Sequence, residues 1–316
     1  MVVRVGAGKP APIPYMEDVE HLLIDGKNSI YRAIFAGYYD SYFKSTGHDY
    51  AVILIRFLSN YINLLKPKAV HVFWDAPRNE VWRRGILPYY KEHRVDKYKD
   101  LGFNIREELK RQLSLAILFF QDMNCRQYYV PAMEADDLIY AFCSINNGKT
   151  VIVSSDGDFQ QIPYKYGHVS IYNPLSKDQQ VLPKPSIDVI VTKALMGDKS
   201  DNLIGYYNVG EVRSREMAED PKKRQKFLDS DKAVAMIDGE LVHVGHELFN
   251  TNRKLIDLSL CPYLADNSAY VEAKQFSPVK FNRVRIEKTI MDNKVRGLKV
   301  DLPRYLGPFQ NLTAYT

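Results

Sequence analysis

The sequence predicts an α/β fold: a mostly parallel central sheet flanked by helices, with a smaller helical C-terminal domain. Short apolar runs that resemble buried strands alternate with segments of helical periodicity, the order typical of a parallel sheet. Acidic residues follow these runs, as Asp25 does after 21–24 and Asp75 does after 69–74. Because the carboxyl ends of parallel strands meet at one edge, we expect a site along that edge.

The elements follow from apolar periodicity and from proline, glycine and capping residues. Strands are expected at 21–24, 69–74, 126–130, 149–154 and 168–172. Helices are expected after Asn28, which would cap the first of them, then at 50–65, 105–123, 134–145, 186–196 (capped by Ser186), 248–260 and 281–295. Residues 1–20 read as a loose arm. Pro183 and Pro185 place a boundary near 183, dividing a core at 21–183 from a mainly helical unit at 184–316.

Composition describes an ordinary globular protein with an uneven charge distribution. The net charge is +5, from 43 Lys+Arg against 38 Asp+Glu, and many of the acids are concentrated in clusters. The remaining surface must then be more basic than the mean. This contrast suits a metal-dependent enzyme that acts on a polyanion, although composition alone favours a mildly basic soluble protein.

Cysteine usage and hydropathy exclude several classes. The three cysteines are odd in number and form no C-x-x-C pair, which argues against a disulfide framework or a zinc knuckle and fits a reducing cytosol. Residues 1–15 lack the apolar core of a signal peptide. The most apolar stretch, 51–65, is too short and too polar to span a bilayer.

Three acidic clusters carry the chemistry that the sequence predicts: Glu134, Asp136 and Asp137; Asp156 and Asp158; Asp198 and Asp201. Carboxylates this dense repel one another unless cations lie between them. Oxygen ligands without His or Cys suit magnesium or manganese rather than zinc. Helix capping explains one or two acids at 134–137 but not three in four positions. Taken alone, the cluster at 198–201 is equally a surface turn.

The segment 76–104 differs from the periodic segments around it. Basic residues alternate with aromatic ones, among them Trp82, Arg84, Tyr90, Lys91 and Arg94. Arg and Lys hold phosphates, and Tyr or Trp stack on the bases of a single strand. The segment follows Asp75 directly, so it lies near the acidic edge. A solvated loop with an ordinary charge run is the alternative.

Taken in order, these residues resemble the flap-endonuclease family of 5′ nucleases, with most similarity to stand-alone bacteriophage proteins of the ribonuclease H or 5′→3′ exonuclease type. The landmarks are Leu23-Ile24-Asp25-Gly26, Phe73-Trp74-Asp75, Trp82-Arg83-Arg84, 89–94, 134–137, 154–159, 197–202 and 252–258. Each motif alone is weak, but four acidic motifs in order, with a basic aromatic segment between the second and third, are specific. The resemblance implies a PIN-like core whose arch or gateway is the 76–104 segment.

The resemblance also implies a two-magnesium site, with Mn²⁺ as a substitute. By motif, the first ion would be held, directly or through water, by Asp25, Asp75, Glu134, Asp136 and Asp137. The second ion, or its outer shell, would be served by Asp156, Asp158, Asp198 and Asp201. Asp136 and Asp158 stand out as catalytic carboxylates. Two ions about 4 Å apart would activate water and stabilise the leaving oxygen.

Nucleic-acid contacts are implied for the basic residues of two segments. Lys91 and Arg94 would contact the scissile phosphate, and Tyr90 would stack on a displaced base. Further contacts are expected from Arg84, Tyr89, Lys97, Arg213 and Arg215. In the loop 203–212 the family's usual basic residue is replaced by Glu211, so potassium binding and the duplex grip are left open there. Arg213 and Arg215 lie just beyond and would compensate.

The function so implied is magnesium-dependent hydrolysis of 5′ flaps, nicked duplexes or RNA primers in DNA replication. Its partners would be DNA with a 5′ flap, nick or fork, and RNA–DNA hybrids, with a single-strand-binding protein or sliding clamp left open for the residues 301–316. A monomer in the cytoplasm, or in the host cytoplasm for a phage protein, is expected. The alternatives are a PIN-type ribonuclease, which would be shorter and lack the basic segment, and a DNA-binding protein with a dead site.

Overall fold

The computed structural model describes residues 18–41, 45, 49–92, 104–176, 178–180, 188–265, 280–297 and 302–312. The strands in these ranges are β1 (His21–Asp25), β2 (Ala69–Trp74), β3 (Arg126–Tyr129), β4 (Thr150–Val153), β5 (Val169–Asn173), β6 (Asp178–Gln180), β7 (Val234–Ile237) and β8 (Glu240–His243). The helices are α1 (Gly26–Tyr39), α2 (Tyr50–Leu65), α3 (Arg83–Ile86), α4 (Ile105–Asp122), α5 (Ala135–Ile145), α6 (Gln161–Lys165), α7 (Val189–Met196), α8 (Glu211–Glu219), α9 (Pro221–Leu228), α10 (Gly245–Ile256), α11 (Arg283–Asp292) and α12 (Leu302–Gln310). Across these ranges, none of the helices has the length and hydropathy that a bilayer-spanning segment requires.

The main sheet has the order β3-β2-β1-β4-β5-β6. The first five strands pair in parallel, and β6 adds to β5 in antiparallel orientation. The predicted α/β class with a mostly parallel sheet is therefore confirmed. The strands β6, β7 and β8 are absent from the sequence-based prediction. Each is three or four residues long; β6 carries no apolar run, all of β8 is exposed, and the apolar run of β7 is only four residues long.

Alternate side chains of the central strands enter two separate cores, because successive residues of a strand point to opposite faces. Leu22 and Ile24 of β1 pack into the core formed with α1, α2 and α4. Leu23, between them, packs into the second core with α5. Both faces of the sheet are covered, which explains why the strands are continuous apolar runs rather than alternating ones.

The C-terminal part of the chain is divided between two cores. Helices α7 to α10 pack around a third core that includes Leu195, Phe227 and Phe249. Helices α11 and α12 instead return to the first core, where Ile286 and Phe309 are fully buried. The apolar faces of the last two helices thus pack on the sheet layer, although the sequence places them in the predicted unit 184–316.

Two helix starts differ from the sequence-based prediction. Asp25, rather than Asn28, is the N-cap of α1, and its side chain accepts a hydrogen bond from the Asn28 backbone N–H at 2.9 Å. Asp188 caps α7, whereas the predicted cap Ser186 lies outside the described residues. A strand-end carboxylate therefore also starts α1, which fixes Asp25 at the sheet edge.

Two histidines lie in a buried chain of hydrogen bonds at the other end of the sheet. Nδ1 of His21 lies 3.1 Å from Nε2 of His71, whose Nδ1 lies 2.9 Å from the Tyr128 hydroxyl. Burial lowers the pKa of His21, and it lowers the pKa of His71 well below its usual range. Both imidazoles are therefore held neutral in the folded protein.

Acidification should destabilise the fold through these histidines. In the unfolded chain they take up protons below pH 6.5, whereas the folded protein resists protonation. Stability is thus lost as pH falls below 6.5, and His71, the more deeply buried of the two, should contribute more of the loss. Urea unfolding at pH 7 and pH 5 measures the loss. His71→Gln should reduce the difference between the two pH values, and the exposed His243→Gln should not; equal slopes in both variants would contradict this account.

Candidate metal and nucleic-acid site

Three strands bring acids to one edge of the sheet. Asp25 is the last residue of β1, Asp75 follows β2 and Asp156 lies shortly after β4. Strand β1 lies between β2 and β4, so these three carboxyl ends are neighbours. The structure thus brings together acids that are far apart in sequence, as the strand pattern predicts.

Helix α5 begins against the same edge. Its N-cap is Glu134, and the backbone N–H of Ala135 donates to Oδ1 of Asp75 at 2.8 Å. Asp136 follows in the first turn, where the helix dipole favours negative charge. Capping therefore accounts for part of the acid content, while the bond to Asp75 joins α5 to the strand ends. Below, Asp25, Asp75, Glu134 and Asp136 are called the first acidic group.

Within the first acidic group, Asp75 pairs with Lys27 and Glu134 pairs with Arg83 and Lys91, while burial governs the pKa values of Asp25 and Asp136. Burial and the neighbouring Asp75 raise the pKa of Asp25 to about 7. Burial also raises the pKa of Asp136 well above its usual range; Asp156 adds to that rise while Lys91 opposes it. Buried like charges disfavour ionisation until a cation compensates them. The group is therefore suited to binding a cation.

Asp158, Asp198 and Asp201 form a second acidic group. Among the residues that the structure describes, each of these three offers one carboxylate oxygen, and the three oxygens lie within 4.8 Å of one another. The four residues of the first acidic group do not all bring a carboxylate oxygen within this distance of one another. Burial and Asp156 raise the pKa of Asp158. Three hard oxygen ligands at this spacing fit a magnesium or manganese ion, so the residues present suit the divalent ion that the acidic clusters imply.

A close approach of two glycines shapes the loop of the second acidic group. The backbone N–H of Leu203 donates to the Asp198 carbonyl at 2.9 Å, which closes the loop. A Cβ atom on Gly205 would lie 1.9 Å from the Met196 carbonyl oxygen. Gly197 has a φ of +76° and lies against the Gly205 backbone. No side chain fits between these segments, so Asp198 and its neighbours depend on glycine at 205.

Gly205→Ala should therefore distort this loop. We expect a loss of about 2 kcal/mol or more in the free energy of unfolding, since overpacked backbone must shift. Gly210→Ala is the matched control, because a Cβ atom there meets nothing within 4 Å. As Gly210 is an N-cap, its variant should lose no more than about 1 kcal/mol. Chemical denaturation measures both, and equal losses would show that the close approach is not limiting.

A buried ion network lies behind the acidic edge. The side chain of Arg83 is 2% exposed, and its guanidinium donates to Glu134 and to both oxygens of Asp137 at 2.7 to 2.9 Å. Its Nε also donates to the Leu255 carbonyl of α10 at 2.8 Å. One arginine thus joins α3, α5 and the C-terminal helices. The acids around it raise the pKa of Arg83 well above its usual range, although burial opposes this.

Asp137, which the resemblance assigns to the first ion, is bonded to protein donors in the structure. Besides the two bonds from Arg83, Asp137 Oδ2 accepts from Trp82 Nε1 and from the Glu134 backbone N–H, both at 3.0 Å. The residue is fully buried. An ion would have to displace these donors from a solvent-free position. Asp137 is therefore the anchor of Arg83, and Arg83 in turn holds Glu134.

Lys91 reaches the acidic edge from the basic segment. Its Nζ lies 2.8 Å from Glu134 Oε1 and 3.8 Å from Asp201 Oδ2, so the ammonium contacts one carboxylate of each group. Its backbone has a φ of 56°, in the left-handed region, and its N–H donates to the Asp201 carbonyl at 3.1 Å. Although burial opposes it, Glu134 holds the pKa of Lys91 well above its usual range.

Tyr90, which is predicted to stack on a displaced base, is buried in the structure. Tyr90 is 4% exposed, and its hydroxyl donates to Asp201 at 3.2 Å, so its ring is not available to a base. Its neighbour Tyr89 is 45% exposed and could stack. Arg84 donates through Nε to the Pro88 carbonyl at 2.7 Å. Arg94 and Lys97 lie outside the described residues, so their contacts stay predictions.

A family comparison fits this geometry. The family described as "5'-3' exonuclease, N-terminal resolvase-like domain" matches residues 20–192, more than half of the chain. The chain belongs to this 5′-3′ exonuclease family. The matched range includes both strand-end acids of the first group and the 134–137 and 156–158 clusters. The resemblance inferred from the motifs is therefore confirmed at the level of the family, which is one of nucleases.

Known proteins agree with this membership. A 5′-3′ exonuclease of Halalkalibacterium halodurans is 32% identical over 218 residues, which is 60% of this chain and 66% of that protein. Ribonuclease H of Enterobacteria phage T4 is 30% identical over 143 residues, 41% of this chain and 43% of its own length. The alignments thus span about two thirds or less of these two relatives.

Among solved structures, the bacteriophage T5 D15 flap endonuclease, crystallised with DNA and metal ions, aligns with 87% of this chain and 98% of its own. The TM-score is 0.61 at 18% identity, which shows a shared fold. For this 5′-3′ exonuclease family member, the fold and the family are thus supported independently.

Two predicted duplex contacts of the family member lie on α8. Arg215 forms an ion pair with Glu211, the acid that replaces the family's usual basic residue. Arg213 lies over the Phe227 ring at 5.0 Å from its centroid. Both arginines lie in the first half of α8, and these contacts do not involve the acidic groups. Their contact with a duplex stays a prediction.

Three cations of the site were missed by the sequence-based prediction. Arg83, Lys27 and Lys193 all contact acids that the motifs identify. Arg83 belongs to the motif Trp82-Arg83-Arg84, yet nothing in that motif indicates that its side chain is buried. Lys27 follows Asp25-Gly26, and Lys193 precedes Asp198 by about one and a half helical turns. For the two lysines, proximity in sequence to an acidic residue was the available signal; for Arg83, which is 54 residues from Asp137, there was none.

Proposed function

We propose that the chain is a divalent-metal-dependent 5′ nuclease that hydrolyses phosphodiesters near the free 5′ end of a nucleic-acid strand. The position of Lys91 carries the proposal, since its ammonium lies between the two acidic groups. Hydrolysis of a polyanion requires carboxylates for metal ions and a positive charge at the reacting phosphate, and these occur together here. Membership of the family supports the same reaction.

The candidate ligands fall into the two acidic groups. Asp25, Asp75, Glu134 and Asp136 would hold one ion, and Asp158, Asp198 and Asp201 the other, with Asp156 between them. Magnesium is the proposed ion, and manganese would substitute, since both prefer oxygen ligands. When bound, two such ions supply Lewis-acid activation of water and stabilise the leaving oxygen.

The protein's own groups position the phosphate and its surroundings. Glu134 and Asp201 hold the Lys91 ammonium at the acidic edge, from which it can bind a phosphate oxygen. Arg83 holds Glu134 in place from the buried side. Arg94 is proposed to add a second cation from the arch. Tyr89 replaces Tyr90 as the proposed base-stacking residue, because its ring is exposed.

The proposed substrates are DNA with a 5′ flap, nick or fork, and RNA–DNA hybrids such as RNA-primed duplexes. The names of the relatives, a 5′-3′ exonuclease and a ribonuclease H, support both classes. A role in DNA replication as a cytoplasmic monomer, with a clamp or single-strand-binding protein as partner, is part of the same proposal. Intact acids in every cluster argue against a dead site.

An end-labelled cleavage assay tests the proposal. A 5′-flap DNA, a nicked duplex and an RNA-primed duplex are compared with Mg²⁺ and with EDTA, and a 3′-flap DNA of the same sequence is the control. We expect cleavage of 5′-ended substrates with Mg²⁺ alone. Cleavage that persists in EDTA, or that is equal on the 3′ flap, would refute the proposal.

Lys91→Ala should slow cleavage of the 5′ flap by about 10²–10³-fold, the loss typical when one charge-stabilising group is removed. Binding to the duplex should change far less, because duplex contacts are expected on α8. Lys68→Ala is the control, since Lys68 is exposed at the opposite edge of the sheet. Fluorescence anisotropy gives binding and single-turnover kinetics give cleavage; matching losses in both would contradict the role assigned to Lys91.

A further inference from the structure

Two lysines that the proposed reaction does not use lie on the acidic groups. Nζ of Lys27 is 2.9 Å from Asp75 Oδ2, in the first group. Nζ of Lys193 is 2.8 Å from Asp198 Oδ2 and also contacts Asp158, in the second group. Each acidic group therefore has an ammonium of its own, supplied by α1 in one case and by α7 in the other.

Tight packing fixes the position of Lys27. A Cβ atom on Gly26 would lie 2.3 Å from the Trp74 ring, so the first turn of α1 is packed directly on the end of β2. Trp74 immediately precedes Asp75, and Lys27 immediately follows Gly26. The same contact therefore brings the lysine to the carboxylate. The Lys27 side chain is 37% exposed, so its ammonium can move into solvent without unpacking the helix.

Lys193 lies where an ion of the second acidic group would bind. The carboxylate oxygens of Asp158, Asp198 and Asp201 lie within 4.8 Å of one another, and Lys193 contacts two of these three residues. A carboxylate oxygen that accepts from an ammonium offers less of its charge to a metal ion. The Lys193 side chain is 22% exposed and has a route to solvent.

We propose that Lys27 and Lys193 are internal counter-ions, one in each acidic group, that compete with the divalent ions. This inference rests on the proposed function. In the ion-free protein they balance part of the carboxylate repulsion. An entering divalent ion displaces the ammonium from the shared carboxylate, and like charge between the two opposes its binding. The lysines thereby weaken ion binding and stabilise the ion-free fold.

Calorimetric titration with MgCl₂, without nucleic acid, tests this competition. Lys27→Met and Lys193→Met should each tighten one Mg²⁺-binding step about tenfold, and the double variant should tighten both. In the absence of Mg²⁺ each variant should have a lower Tm than the wild type, with the difference lost at saturating Mg²⁺. Lys223→Met is the matched control, since Lys223 pairs with Glu216 on the exposed surface.

The outcomes separate this inference from the proposed function. If the wild type binds Mg²⁺ and the folded lysine variants bind it with unchanged or weaker affinity, the counter-ion role is refuted while the nuclease proposal stands. If the wild type binds no Mg²⁺, both fail. Lys27→Gln and Lys193→Gln, checked by circular dichroism, repeat the test with a polar side chain should a Met variant not fold. If a variant folds only when Mg²⁺ is present, that result supports the inference.

Discussion

Asp136→Asn and Asp158→Asn should each reduce Mg²⁺-dependent cleavage of a 5′ flap by at least about 1,000-fold, equivalent to ~4 kcal/mol of transition-state stabilisation. Each substitution keeps the shape of the side chain and removes one negative charge from an acidic group. Binding to forked DNA should persist, since the lost carboxylate repels phosphate. Single-turnover kinetics and anisotropy measure the two effects separately.

The control for this prediction is Asp229→Asn, which neutralises an exposed carboxylate paired with His246. It should cleave as the wild type does. If Asp136→Asn or Asp158→Asn cleaves at the wild-type rate, the substituted residue is not part of the metal site. Loss of cleavage in the control would instead indicate a general effect of charge.

Arg83→Met should lower the free energy of unfolding by about 3–5 kcal/mol, the cost typical of breaking a buried ion pair. The arginine and Asp137 are both buried, and the substitution leaves a carboxylate without its counter-charge in a solvent-free position. Glu134 loses a partner as well, so cleavage should fall with stability. Urea denaturation measures the stability change.

A double variant distinguishes an unpaired charge from lost packing. In Arg83→Met/Asp137→Leu neither buried charge remains, and much of the stability should return, because apolar replacement of a buried pair is often tolerated. The neighbouring Arg84→Met is the single-site control, since that arginine of α3 is partly exposed and donates to the Pro88 carbonyl rather than to a buried carboxylate. A double variant no more stable than Arg83→Met would show that packing, not charge, dominates.

The sheet and half of the site could be predicted because both follow from local pattern. Strands β1, β2 and β4 are continuous apolar runs, and an acid follows each, so parallel pairing alone brings Asp25, Asp75 and Asp156 together. Helix α2 was predicted at its observed bounds, since its apolar face and the following Pro67 are unambiguous.

The rest depends on pairing across the chain, which periodicity does not encode. Arg83 and Asp137 are 54 residues apart, and nothing near either residue indicates that they pair. Tyr90 stands in a basic, polar stretch, yet the C-terminal helices bury it. Helices α11 and α12 are amphipathic, and the pattern does not tell which core receives their apolar faces.

The left-handed backbone of Lys91 is strained, and the ion pair made by its side chain offsets that strain. A branched or long side chain at positive φ costs about 1 kcal/mol or more relative to glycine. Glycine at 91 would relax the chain and keep the N–H that binds the Asp201 carbonyl, but it would remove the ammonium from between the acidic groups. That ammonium also balances the buried Glu134, and its loss would cost about 3–5 kcal/mol, more than the glycine backbone gains, so heat resistance and catalysis both favour keeping Lys91.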